Sequence, residues 1–295
     1  MHDQADELRI LARQWATDAK PAAQGPRKIV VSAGKGGVGT TTVAVNLAAS
    51  LGRQGCRTIL IDADFSGADA AMLCGIESRD TIADVLSGRR SVHEVLQPGP
   101  AGIQVVPGIW SPGSIPDCSP AAQQRLLREI DQLARHAEVV VLDAGSGLNH
   151  IVQKFWRAAD EVLVVTTAEA VSIMDAYAAM KLFLAGHSAI NVATVVNQSP
   201  QPDVAVGVHA RIAQACQRFL GMRIHRAGSV PWDSAVAIAN RSGKPLVLEN
   251  SESPAARGID QLAERILTPN GATDDGDAED ILDASMTRIA DNIAA

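Results

Sequence analysis

The sequence predicts a doubly wound α/β fold with a mostly parallel sheet, and three observations predict it. Continuous Val/Ile/Leu runs, as parallel strands covered on both faces require, alternate with stretches of helical spacing. The first run enters a glycine-rich loop that opens directly into an alanine-rich helix. Two later runs end in aspartates, which a sheet of this kind delivers to the edge where that loop lies.

The chain opens with Asp3 to Trp15, in which Asp3 can cap a helix and Ala5, Leu8, Leu11, Ala12 and Trp15 share one face. Residues 1–17 are therefore expected to form a short amphipathic helix, either packed back on the body or offered to a partner protein. Residues 18–27, rich in proline and small residues, read as a linker. From 28 to 268 runs the α/β domain, with strands expected at 28–33, 57–62, 103–106, 138–143, 161–166, 191–197 and 224–230. Helices are expected near 41–54, 81–96, 119–136, 148–158, 169–186 and 203–220, Ser119-Pro120 supplying a capping hydroxyl and a proline at the first helical position. Residues 269–295 begin with a polar, acidic stretch expected to be disordered. They end with Leu282, Met286, Ile289 and Ile293 on a narrow apolar stripe.

Hydrophobic residues make up 46% of the chain and charged residues 20%, with only 3% aromatic, which points to an aliphatic core. With no signal-peptide pattern and no apolar run long enough to span a bilayer, a cytosolic protein is expected, at most peripheral at the inner face of the cell membrane. Cys56, Cys74, Cys118 and Cys216 are widely spaced and the seven histidines form no ligand cluster, so no transition metal is expected. The net charge is −7. Seven acids from Asp274 onward against Arg288 account for −6 of it, leaving −1 for everything before. A nearly neutral body speaks against a nucleic-acid footprint, although a local patch could hide in it.

The chemistry concentrates in Gly34 to Thr41, which follow the frame G-x-x-x-x-G-K-[ST] with Thr40 where the lysine belongs. Glycines at 34, 36, 37 and 39 allow successive N–H groups to face one anion, and the helix N-terminus adds its dipole. Asp62 and Asp64 end one strand and Asp143 another. A magnesium ion on nucleotide phosphates needs oxygen ligands at this edge. Thr41 is expected to supply its hydroxyl, Asp143 carboxylate support, and Asp62 or Asp64 the acid that orients an attacking water.

On these residues the chain resembles the MinD/ParA family of deviant P-loop ATPases (SIMIBI class), and within it the FlhG flagellar number regulators. Lys35-Gly36-Gly37-Val38-Gly39 is similar to the family's signature loop, Asp62-Ala63-Asp64 to its switch I, and Asp143 to Gly147 to its switch II. Residues 81–96 and 166–183 resemble further blocks of the FlhG branch. The resemblance implies ATP or ADP with Mg2+ as cofactors, phosphate contacts from Gly34, Lys35, Gly36, Gly37, Val38, Gly39, Thr40, Thr41 and Thr42, and metal contacts from Thr41, Asp62 and Asp143. It implies that Lys35 reaches across an ATP-dependent homodimer, that Asp64 positions the hydrolytic water, and that Asn197, Pro231, Trp232 and Asp233 border the adenine. Asp3, Gln4, Ala5, Leu8 and Arg9 match the DQAxxLR element with which that branch stimulates FlhF, an SRP-family GTPase.

The sequence departs from this pattern twice. Thr40 removes a cation from the β and γ phosphates, and the tail is acidic where relatives carry a basic membrane-binding helix. The resemblance therefore implies a slow ATPase switch for flagellar number or placement. A pseudo-ATPase scaffold, and a pilus-positioning (TadZ/CpaE-like) or DNA-partitioning (ParA-like) relative, remain as alternatives.

Overall fold

The computed structural model describes residues 26–65, 67–109, 119–133, 136–184 and 190–268. The expected N-terminal partner helix, the linker up to residue 25 and the acidic tail lie outside them. The strands are β1 (Arg27–Ala33), β2 (Thr58–Asp62), β3 (Gln97–Pro98), β4 (Gln104–Val106), β5 (Val139–Ser146), β6 (Glu161–Thr166), β7 (Val192–Ser199) and β8 (His225–Pro231). They form one sheet in the order β3-β4-β2-β5-β1-β6-β7-β8, parallel throughout except for the β3–β4 pair.

Alternate residues of each central strand feed opposite faces, because side chains of a strand point up and down in turn. Val30, Ile61, Leu142, Val164 and Val196 enter one apolar layer, and Val31, Leu60, Val141, Val165 and Val195 the other. The first layer is covered by α3 (Ile82–Ser87), α4 (Val92–Val95), α5 (Pro120–Leu133), α6 (His150–Ala158), α7 (Ala170–Leu184) and α8 (Pro202–Leu220). The second is covered by α1 (Thr40–Arg53), α2 (Ala70–Leu73), α9 (Ser234–Ser242), α10 (Leu246–Glu249) and α11 (Pro254–Leu267). Strands buried on both faces explain why their sequences read as unbroken aliphatic runs.

Two local expectations are corrected and one strand is added. The stretch 81–96 forms two short helices, since Gly88 turns left-handed (φ 74) and Ser91 with Glu94 starts a second capping box. The edge strand β3, too short to carry a pattern, pairs antiparallel with β4. Strand β5 continues past Asp143 to Ser146, with its register against β1 shifting between Val31 and Ala33.

A buried charge cluster closes the opposite end of the sheet. Glu161, 1% exposed at the start of β6, takes Arg27 and Arg265, each at 2.7 Å, and Arg27 also donates to the Ile266 carbonyl. The end of α11 is thereby fixed beside the beginnings of β1 and β6.

Candidate nucleotide site

The loop between β1 and α1 lies where β1, flanked by β5 and β6, ends at the switch point of the sheet, the crevice in which such folds bind ligands. Gly34 allows helix α7 to approach, because a Cβ there would collide with the Asp175 carbonyl. Gly39 has φ 88, and a Cβ on it would run into the Asn197 amide. That amide donates to the Val38 carbonyl at 2.7 Å, so a buried side chain from the end of β7 fixes the loop from beneath. Gly39 also serves as N-cap of α1 without any side-chain cap, whereas Asn149, Asp233 and Ser253 cap α6, α9 and α11. The first amides of α1 are left for an external acceptor.

The first turns of α1 are braced from the C-terminal part of the domain. Asn240 on α9 donates to the Thr42 hydroxyl at 3.3 Å. Asn46 donates to the Thr42 carbonyl at 2.8 Å and accepts the Val247 amide at 3.1 Å.

Asp62 and Asp143 are register partners on adjacent strands and fully buried. Asp62 accepts the Asp64 amide at 3.2 Å and the Ala70 amide at 3.0 Å, so it anchors the switch-like turn and the start of α2. Burial, and next the Asp143 charge, push its carboxyl well above the usual range. Asp143 takes the Gly145 amide at 3.0 Å on one oxygen, while its Oδ2 is buried with no hydrogen-bond partner. Burial raises Asp143 to about 6, opposed chiefly by the neighbouring Thr41 hydroxyl. The Asp64 carboxyl lies so close over Gly145, itself at φ 62, that a Cβ there would strike it.

A buried, unsatisfied carboxylate oxygen beside a loop threonine suits a hard divalent cation. Among the described residues no group of three acids, histidines or cysteines forms a complete metal cage. The donors fit Mg2+, which keeps water and phosphate oxygens and takes only one or two from protein.

Most of the loop, Asp64 and Gly145 open on one cavity of about 1110 Å³, whereas Gly34, Val38, Asp62 and Asp143 lie off its lining. Its lining includes Thr40, Thr41 and Thr42, Asp64, Asn197 and Trp232. Trp232 is 67% exposed at the rim and its amide donates to the Ser199 carbonyl at 3.0 Å. The Asp233 carboxylate receives the Ala235 amide at 2.8 Å, which with burial opposing holds its pKa down, and so caps α9. Pro231 ends β8 on the same wall. Lys35 stays off the lining and is paired with Glu169 at 3.2 Å. Arg241 is the one cation among the described lining residues.

Sequence reasoning missed Glu169, the Asn46–Asn240 brace and Gln198. Gln198 lines the cavity at φ 55, unusual for a residue with a Cβ. The first two come from distant parts of the chain, and Gln198 gives no glycine-like signal. Asp3, Gln4, Ala5, Leu8 and Arg9 lie outside the described residues.

Comparison with known proteins agrees with this fold. The AAA_31 family model, described as an AAA domain, matches residues 26–183. Antiactivator FleN of Pseudomonas aeruginosa is 33% identical over 238 residues, 81% of this chain and 85% of that protein. The flagellum site-determining protein YlxH of Helicobacter pylori is 25% identical over 236 residues, 80% of each chain. The septum site-determining protein MinD of Pyrococcus horikoshii, solved with Mg-ADP, superposes with a TM-score of 0.69 at 20% identity, covering 82% of this chain and 96% of that one.

Proposed function

The chain belongs to the AAA_31 P-loop family, in its MinD/ParA-type FlhG branch, and from that premise we propose that it is a nucleotide-dependent dimeric switch regulating flagellar number or placement. The observation that carries the nucleotide reading is α1, whose uncapped N-terminus and left-handed Gly39 face a cavity lined by Thr41, the neighbour of the buried Asp143 carboxyl with its unsatisfied Oδ2.

In this reading the Gly34–Thr42 amides and hydroxyls hold the phosphates of ATP or ADP. Thr41 and Asp143 would hold Mg2+, which would supply neutralisation of phosphate charge. Asp62 acts behind them, keeping Asp64 and α2 in place through two amide bonds. Asp64, set against Gly145, orients a water for attack on the terminal phosphate. Trp232 offers an exposed ring at the rim where Asn197, Pro231 and Asp233 border the base. Lys35 leaves Glu169 to reach the phosphates of a second subunit. Thr40 makes turnover slow, because no lysine among the described lining residues compensates transition-state charge.

The partner reading extends this switch to an FlhF-like SRP-family GTPase through Asp3, Gln4, Ala5, Leu8 and Arg9. Its test is GTP turnover by such a GTPase with and without this protein. Stimulation that Gln4→Ala or Leu8→Ala abolishes is the expected result, and no stimulation by the intact chain rejects the partner. Thr40 favours one second reading, a pseudo-ATPase scaffold that binds nucleotide weakly, or ADP only. Turnover at high protein concentration separates the two. Among the described residues no helix is long and apolar enough to cross a membrane.

A further inference from the structure

The far edge of the sheet carries a cationic surface. From Val204 to Trp232 the chain has four arginines and no aspartate or glutamate. Arg211, Arg218, Arg223 and Arg226 are all exposed, and none forms an ion pair with a described residue. Arg211 and Arg218 are separated by two turns of α8 and share a face. The Arg218 guanidinium stands 5.3 Å over the ring of Phe219, which is itself 67% exposed. Arg223 lies in the turn into β8, and Arg226 is near the beginning of that outermost strand. Charge on an edge strand discourages pairing with other sheets, which accounts for Arg226 alone and leaves the arginines of the helix and the turn unexplained.

The chain holds a matching anion. Seven acids between Asp274 and Asp291 face one cation, Arg288. Topology brings the two together. Helix α11 packs along β8, with Gly258 against the Ser229 carbonyl near the end of that strand. It then runs to the strand beginnings, where Arg265 meets Glu161 and the Ile266 carbonyl meets Arg27. The chain therefore leaves residue 268 at the end of the sheet where β8 starts. Three strand spacings from β1 to β8 amount to ~14 Å. The five residues from 269 to 273 can span ~17 Å when extended.

We propose that the acidic segment from Asp274 to Asp291 docks on the arginine surface formed by α8 and the start of β8 of its own chain. The contact is electrostatic and exposed, so it loosens with salt. While closed it denies the arginines to other polyanions, and its release exposes Phe219 together with four cations.

The test uses the full chain and its R218Q/R223Q/R226Q variant, whose substitutions are at exposed positions. Both are treated with an endoproteinase that cuts before aspartate, and cleavage in the tail is timed at about 0.05 M salt, where screening is weak. The variant tail should be cut about tenfold faster, as the open population rises. Wild type should reach the same rate in about 0.5 M salt, where screening is short-ranged. Equal rates at low salt overturn the proposal.

A second full-chain variant, D274N/D275N/D277N/E279Q/D280N/D283N, is titrated with a short DNA duplex and with phosphatidylserine vesicles. It should gain duplex binding with a log–log salt slope of about −3 to −4, as four phosphate contacts require. Adding the three Arg→Gln changes should remove that gain. Wild type binding duplex or vesicles as tightly as the tail variant would mean that nucleic acid or lipid owns the surface, and would also overturn the proposal. Neither readout depends on nucleotide, so the proposal can fail while the switch reading stands.

Discussion

Lys35 Nζ lies 3.2 Å from Glu169 Oε2, at the mouth of the phosphate loop and away from its cavity. Glu169 is 71% exposed, so the pair is worth at most ~1 kcal/mol and is easily exchanged for another anion. Glu169→Gln should lower the melting temperature by no more than about 2–4 °C. It should strengthen ATP-dependent self-association by up to about fivefold, the equivalent of that energy. Lys35→Ala should lose ATP-dependent association and keep its affinity for ADP. Sedimentation velocity with each nucleotide reads both variants.

Asn197 supports the loop from below through its bond to the Val38 carbonyl. Asn197→Ala leaves that carbonyl without its donor and should cost about 1–3 kcal/mol in urea unfolding. Gly39→Ala meets both the Asn197 amide and a left-handed backbone, so it should weaken folding and nucleotide binding together.

Asp143 supplies a pH signature. Its folded pKa, about 6, lies above the usual carboxylate value, so the ionised form is disfavoured in the ligand-free fold. Stability from this group is therefore greatest at low pH and is lost as pH rises from about 4 through 6. Asp143→Asn should stabilise the ligand-free protein at pH 7–8 by about 1–3 kcal/mol, with the gain vanishing toward pH 4. The same variant should lose the magnesium-dependent part of ADP affinity. Thermal melts across pH, with and without Mg-ADP, check both signs.

Thr40→Lys places a cation in a cavity whose described lining holds only Arg241. A charged hydrogen bond to phosphate should raise ATP affinity or turnover about 10- to 100-fold. Calorimetry and a phosphate-release assay check this, and no change in either would mean that the lost charge is already replaced.

The parts of the site that were legible in the sequence are those with strict local demands. Gly34 and Gly39 tolerate no side chain, and Asp62 and Asp143 sit on buried aliphatic strands whose direction fixes where they point. Glu169, Asn46 and Asn240 were not legible, because their roles depend on meeting residues from distant segments. Helices α9 and α10 were not anticipated, since Gly243 and Pro245 break their apolar pattern into short pieces, whereas α11 was overlooked although Ser253-Pro254 spells a helix start. The two-helix break at Gly88 could have been read, because Ser91 and Glu94 already spell a second helix start. Asp62 had one role by motif and a more local one in the structure, as holder of the Asp64 and Ala70 amides.

The central claim is that nucleotide in the Gly34–Thr42 cradle controls assembly of this chain. Size-exclusion chromatography with light scattering, in magnesium with ATP, with ADP and without nucleotide, tests it most directly. The account predicts a dimer with ATP and a monomer in the other two conditions. A single species of unchanged mass in all three would contradict it.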